Sequence, residues 1–357
     1  RYWRDWSSDV CSSDLLQQIQ VATVIPYYER FLDRFPDVQA LAAAELDEVY
    51  RYWAGLGYYR RAKQLHAAAC EIVTSGQVPF PRDRDAIWSL PGIGRYTASA
   101  IASFAYDARW GIVEANTQRL YARLIRCRDP LAETKTQKQL WNFAEELVQA
   151  ARGSAGELNQ ALMEIGALVC KPVEPSCTEC PLVDHCQAHR HRETHRIPAP
   201  KPKKVITPLV EIGFLISDGA GRWLLRRCLE SERWAGLWDF PRFDCTQAGS
   251  DEKAIRLGAE AFAERFGVRI RVGETGVDQQ SGEPVLKLQH AVTRYRIELR
   301  VYEASLLSRR SIAKFKRSEG HGGEENIGWY PLEEIIELAL SSSGRKVARW
   351  LERSREW

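Results

Sequence analysis

Residues 89–104 read SLPGIGRYTASAIASF, and the run Pro91-Gly92-Ile93-Gly94 sits between two segments of helical apolar period. Glycines at 92 and 94 allow a tight hairpin with exposed backbone N–H groups, and the N-terminus of the helix that follows can hold a phosphate. Taken alone, the same string also serves as an ordinary connection between two helices. Glu114 follows 22 residues after Gly92, at the start of another helical stretch, GIVEANTQRLYARL (111–124). A carboxylate in a first helical turn commonly does no more than face the helix dipole, a contribution of about 0.3–1 kcal/mol.

Working outward, the period stays helical from Leu16 to about Leu168. DVQALAAAELDEVYRYWAGLG opens on Asp37 as an N-cap, repeats apolar residues at Leu41, Leu46, Val49 and Trp53, and stops at Gly55. Similar runs cover 61–74, 96–106, 116–126, 135–151 and 157–169. A Pro/Lys-rich linker spans roughly 187–207, and beyond it the period changes. LVEIGFLIS, RWLLRR and KLQHAVTRYRIELRVYEA predict β-strands, with helices at about 251–266 and 331–351. The expected architecture is therefore multidomain: an all-α unit over 16–169, a cysteine loop over 170–186, and a separate α+β unit over 208–350.

That loop, CKPVEPSCTECPLVDHC, places Cys170, Cys177, Cys180 and Cys186 at the spacing C-x6-C-x2-C-x5-C. Four thiolates this close bind zinc or an iron–sulfur cluster, and softness does not choose between them. Structural zinc usually uses two short knuckles. One C-x2-C flanked by single cysteines is a wrapping loop better suited to a cubane. The remaining cysteines, at 11, 70, 127, 228 and 245, show no pairing pattern and suit a reducing compartment.

The chain has 357 residues, 45% apolar and 27% charged, enough for two or three domains with their own cores. No apolar run reaches the eighteen or so residues of a membrane-spanning helix. The net charge of +3 is mild, but YYRRAK (58–63) and HRHRETHRIPAPKPKK (189–204) are locally basic. Such patches suit a polyanion, although many are merely solvated faces. Arg1 is not methionine, so targeting is not legible.

The hairpin, the carboxylate 22 residues later and the cysteine spacing together resemble the helix-hairpin-helix DNA glycosylases of the endonuclease III superfamily. Within it, LQQIQVATVIPYYERF (16–31), GLGYYRRAKQLH (55–66) and LNQALMEIGALVC (158–170) resemble the MutY adenine glycosylases. The resemblance implies a 4Fe-4S cluster on the four cysteines, structural rather than reactive. It also implies hydrolysis of the N-glycosidic bond of adenine opposite 8-oxo-guanine or guanine in double-stranded DNA, by a monomer in the bacterial cytoplasm. The target base must first leave the duplex, and the reaction needs a proton on the base and an anion beside the sugar.

By position, the sugar-side carboxylate is Glu114, where the family carries aspartate, with Asn116 orienting it. The change adds one methylene, about 1.5 Å of reach. Tyr96 stands where endonuclease III-like lyases carry a Schiff-base lysine, which implies a monofunctional hydrolase with Tyr96 lining the sugar pocket. Matching positions assign Leu16 and Gln18 to the lesion pair, Tyr58 to a wedge stacked into the duplex, Gly92 and Gly94 to a phosphate, and Arg60, Arg61 and Lys63 to the backbone.

Two regions depart from the family. Ser13 occupies the position of its general-acid glutamate, and RYWRDWSSDVCSSDL (1–15) does not resemble it at all, as if the true start were replaced. A catalytically silent mismatch binder is the alternative this raises, and an endonuclease III-like lyase is the other. The second unit resembles the family's Nudix-like domain, most clearly in SERWAGLWDFPRF (231–243). EAFAERFGV retains only Glu264 of the expected metal carboxylates, which predicts no pyrophosphatase activity. Val292, Thr293 and Arg294 replace the family's Phe-Ser-His turn at the oxidised base, leaving the Thr293 hydroxyl to accept from or donate to it.

Overall fold

The computed structural model describes residues 21–76, 80–200, 205–273, 282–292, 294–308, 315 and 326–355. Ser13, Leu16, Gln18 and Thr293, and with them the proposed acid position and the hydroxyl of the turn, lie outside these residues. The chain divides into two compact units, 1–203 and 204–357.

Among the described residues, the first unit is helical throughout: α1 Val21–Arg34, α2 Val38–Ala42, α3 Leu46–Trp53, α4 Tyr59–Thr74, α5 Arg84–Ser89, α6 Arg95–Tyr106, α7 Ala115–Leu124, α8 Thr134–Ala150, α9 Ala155–Glu164 and the short α10 Gln187–Arg190. Asp37 caps α2 as expected, its carboxylate accepting from Ala40 N at 2.7 Å. The single helix expected from Asp37 to Gly55 is instead two. Its break falls where α4 intercepts the backbone: the Cys70 thiol donates to Ala42 O (3.6 Å) and His66 Nε2 lies 2.9 Å from Ala44 O. Carbonyls engaged by side chains of another helix end the run despite three consecutive alanines, so tertiary contacts override propensity.

The last turn after α9, Ile165–Val169, is a π-helix. It delivers Cys170 into a core built from α7 and α8, where Leu120, Tyr121, Leu124, Leu140, Leu162 and Cys170 are buried together. The segment carrying the cysteines is thereby seated on α7, the helix that begins at Glu114.

The second unit pairs β1 Thr207–Ile216 in parallel with β7 Tyr295–Leu306 along ten residues, and antiparallel with β4 Arg242–Asp244. The other side of β7 takes β6 Leu286–Val292 and β5 Ile270–Val272, both antiparallel. A smaller sheet has the order β3 Trp238–Asp239, β2 Arg222–Arg227, β8 Ile327–Pro331. Phe262 and Phe266 of α11 (Asp251–Phe266) fill one core with Ile212, Phe214 and Trp329. Ile335 of α12 (Leu332–Glu337) and Val347 and Leu351 of α13 (Ser342–Arg355) fill another with Leu215, Leu299 and Trp238.

The stretch 287–304 forms two antiparallel strands, β6 and β7, in keeping with the turn expected at 292–294. The helix expected over 331–351 is broken between α12 and α13. There Ser341 receives Gly344 N (2.9 Å) as a fresh start for α13 and donates to Asp239 (2.6 Å), while its own N–H reaches Trp238 O. Pairing to β3 takes precedence over continuing the helix.

Candidate active site and thiol cage

Gly92 has φ +77°, and a Cβ there would lie 2.6 Å from the Gln64 side chain, so both the turn and its contact with α4 require glycine. Gly94 is the N-cap of α6; it brings no side chain to the cap, and the first turn contains no acid. The leading N–H groups of α6 are therefore left to an external anion, the arrangement that binds phosphate.

Glu114 is the N-cap of α7. Its Oε1 accepts from both Asn116 N and Thr117 N at 2.8 Å, and the Thr117 hydroxyl accepts from Glu114 N at 2.8 Å. This is a reciprocal cap with the acid and hydroxyl positions exchanged relative to the usual Ser/Thr-x-x-Glu pattern. The dipole role anticipated for an isolated carboxylate is thus present, yet it occupies one oxygen only. The residue is half-buried, and no protein donor to Oε2 is found among the described residues. Tyr96 in the first turn of α6 lies near it: burial first, and the Glu114 charge second, push the Tyr96 phenol up. Hairpin, tyrosine and carboxylate are thus brought together.

Asn116 meets Glu114 through its backbone N–H, which any residue supplies. Its side-chain oxygen accepts from Arg119 Nη2 at 2.9 Å, so the contact of Asn116 with the carboxylate runs through the backbone N–H. Arg119, which sequence reasoning passed over, also donates to Gly166 O (2.5 Å) and Cys170 O (2.7 Å). One guanidinium therefore ties the start of α7 to the π-turn and to the first cysteine. Gly166 allows that closeness, since a Cβ on it would stand 2.9 Å from the Asn116 backbone. The available signal was the i, i+3 and i, i+7 spacing of 116, 119 and 123 on one helix face.

Cys170, Cys177, Cys180 and Cys186 line one cavity with Leu120 and Arg123. Arg123 is 2% exposed and donates to Ile197 O, Lys171 O and Pro172 O and to Cys170 Sγ at 3.2 Å. Among the described residues it has no carboxylate partner. A buried cation facing only carbonyls and thiols is costly unless an anion completes the site, and a tetrathiolate group is such an anion. Four thiolates around one space, with the Arg123 guanidinium as counter-charge, are a donor set that fits an iron–sulfur cluster.

Tyr58 and Tyr59 part company. Tyr59 is buried edge-on to Tyr50, whereas Tyr58 is 57% exposed and holds a left-handed backbone, φ +49°. The Arg61 guanidinium lies 5.5 Å from the Trp53 ring and 5.4 Å from the Tyr58 ring. Arg61 therefore lies between two aromatics, one of them the exposed Tyr58. Arg60 is exposed, and Lys63 is partly covered.

In the second unit, Arg294 donates to the Tyr295 hydroxyl at 3.0 Å and leans over that ring. Val292 is half-buried and Glu264 is exposed. Sequence reasoning also missed a buried ionic group, Arg242 with Asp239 (2.9 Å) and Arg226 with Glu232 (2.6 Å), which fastens the SERWAGLWDFPRF segment to its sheets.

Residues 11–146 match the HhH-GPD superfamily of base excision DNA repair proteins, and residues 212–350 match the NUDIX domain. The first match defines the class to which the hairpin and its carboxylate belong. The adenine DNA glycosylase of Buchnera aphidicola subsp. Schizaphis graminum is 34% identical over 242 residues, 68% of this chain and 68% of that protein. The Homo sapiens adenine DNA glycosylase is 41% identical over 198 residues, 55% of this chain and 35% of the relative. The Arabidopsis thaliana one is 32% identical over 342 residues, 85% and 52%. The chain belongs to the adenine DNA glycosylase family of base excision repair. It matches about a third of the human relative's length and about half of the plant relative's.

Proposed function

We propose that this protein hydrolyses the N-glycosidic bond of adenine paired with 8-oxo-guanine or guanine in double-stranded DNA, and that Cys170, Cys177, Cys180 and Cys186 hold a 4Fe-4S cluster. The observation that carries the reading is the half-engaged Glu114 carboxylate, fixed through Oε1 at the head of α7, with Oε2 outside the cap and its charge felt at Tyr96.

In this reading the uncapped start of α6, with Gly92 and Gly94, grips a backbone phosphate while Tyr58 fills the gap left by the extruded base. Burial of aromatic surface against the bases offsets unstacking by roughly 1–3 kcal/mol. As the base departs, positive charge grows on the sugar, and Glu114 Oε2 faces it from a fixed position that needs no reorganisation. Tyr96, neutral and without an amine, lines the sugar pocket, so water is the nucleophile: its oxygen bonds to the sugar carbon, and the proton it gives up balances the one taken up by the departing adenine. Asn116 and Arg119 hold the start of α7, and through it Glu114. Arg123 balances the tetrathiolate charge. The cluster, when bound, supplies a rigid anchor for the loop 170–186 and takes no part in bond cleavage.

A single-turnover assay on a duplex carrying adenine opposite 8-oxo-guanine tests this. Base release with strand breakage only after alkali is expected. Breakage without alkali would mean a lyase, and tight binding without release would mean the silent binder that Ser13 raises.

A further inference from the structure

Glu145 and Glu146 are neighbours on α8, yet Glu146 is exposed while Glu145 is turned inward. The two carboxylate oxygens of Glu145 serve different parts of the chain. Oε1 accepts from Arg84 Nη2 at 2.9 Å and lies 3.7 Å from Arg95 Nη2, whereas Oε2 accepts from Gly111 N at 3.2 Å. Arg84 opens α5 and Arg95 opens α6, so the two arginines flank the hairpin 91–94. Gly111 stands three residues before Glu114, on the segment that joins α6 to α7.

We propose that Glu145 is a positioning residue for base release: it fixes the phosphate-gripping hairpin at one distance from the Glu114 carboxylate, so that a duplex held by the first presents its sugar to the second. The inference rests on the hairpin and Glu114 acting as proposed above.

Two observations carry it. The first is convergence. Among the described residues neither arginine has another carboxylate partner, and each is backed by a ring, Arg84 over Trp110 at 5.0 Å and Arg95 over Trp141 at 3.9 Å. Trp141 lies one turn before Glu145 on the same face of α8, and Trp110 adjoins Gly111, so the rings belong to the same two segments that the carboxylate joins. The second is close approach. Gly111 is buried, and a Cβ on it would stand 2.7 Å from the Ala144 carbonyl carbon and from Glu145 N. The segment leading to Glu114 is thereby seated directly on the turn of α8 that carries the clasp.

Magnitudes separate this role from plain stabilisation. The Arg84, Arg95 and Glu145 side chains are 35%, 36% and 23% exposed, and ion pairs that open to water add little to stability. A displacement of reacting groups by about 1 Å, by contrast, costs roughly 100-fold in rate. A loss of rate far larger than the loss of melting temperature is the mark of positioning.

The experiment uses the full chain and Glu145→Gln, which keeps the size of the side chain but has one acceptor oxygen, so that either the arginines or Gly111 N goes unserved. Ile72→Val, at a fully buried position on α4, is the control for lost stability. Adenine release is followed in single turnover at saturating protein on a duplex with adenine opposite 8-oxo-guanine, affinity on an undamaged duplex, and melting by circular dichroism. For Glu145→Gln the expected result is release slower by about 10- to 100-fold, affinity close to the parent's, and melting lower by no more than about 4 °C. The control should melt lower by a similar amount and release adenine at the parent's rate. Arg84→Met should also slow release, and adding Glu145→Gln to it should slow it little further, because both remove one clasp. Release by Glu145→Gln at the parent's rate, an equal slowing in the control, loss of the fold in Glu145→Gln, or fully multiplicative losses in the double variant overturns the role of Glu145. A parent that does not release adenine overturns the activity itself, and this role with it.

Discussion

An N-cap of Glu rather than Asp or Ser is unusual, since the favoured caps are short side chains that turn back on their own helix. Glu114 manages it by sending one oxygen to two N–H groups and leaving the other outside the cap. Substitutions separate these duties. Glu114→Asp keeps both, so adenine release should persist in single-turnover assays. Glu114→Gln keeps an acceptor for the cap but no charge; release should fall by about 100-fold or more, with a loss of stability of about 1 kcal/mol or less by thermal melting. Equal release by the Gln variant would show that the anion is not needed. Tyr58→Ala removes an exposed ring, so melting should move little, while affinity for the mismatched duplex should drop by roughly 10- to 100-fold by fluorescence anisotropy.

At the scale of the element, α7 is the beam between carboxylate and cage. Arg119 is buried, and its three acceptors belong to Asn116, Gly166 and Cys170. Arg119→Met leaves those acceptors without their donor, a cost of about 3 kcal/mol or more. Cluster absorption in the visible and base release should be lost together; a variant that loses release but keeps full absorption would show the two ends to be independent. Much of α7 was legible beforehand, because the 22-residue offset from Gly92 drew attention to Glu114 and the apolar period fixed the helix. Arg119 and Arg123 were not. Arginine inside a helix reads as solvent-facing until a neighbouring loop supplies carbonyls, and those carbonyls come from residues 47 to 74 positions away. Distance in sequence likewise hid the α2–α3 break, made by His66 and Cys70. The spacing of the cysteines, by contrast, is local, and it marked the cage directly.

At the scale of the whole molecule, each unit has its own core and its own electrostatic fastening. In the second unit, burial alone would push Glu232 up; hydrogen bonding and charge from Arg226, with Arg265, outweigh it and hold the carboxyl at about 2. Its unfolded value is about 4.3. Because the folded value is the lower, the group stabilises fully above the unfolded value, and the gain disappears as pH falls from there to about 2. The contribution is on the order of 2–3 kcal/mol at neutral pH. Calorimetry of Glu232→Gln should show a flatter decline of melting temperature across that window than the parent; parallel curves would refute the assignment. Arg126 and Arg128 act on Glu193 in the same direction in the first unit, where they fasten the segment after the cage to the residues following α7.

Gly166 brings no side chain to the site, and its effect comes from that. Because main chain rests against main chain at Asn116, even a methyl group would act as a spacer, lifting the π-turn from α7 and stretching the Arg119 bonds at both ends. Damage at a position that touches neither sugar nor sulfur would then surface as two distant symptoms: a misaligned anion and a cage that closes poorly.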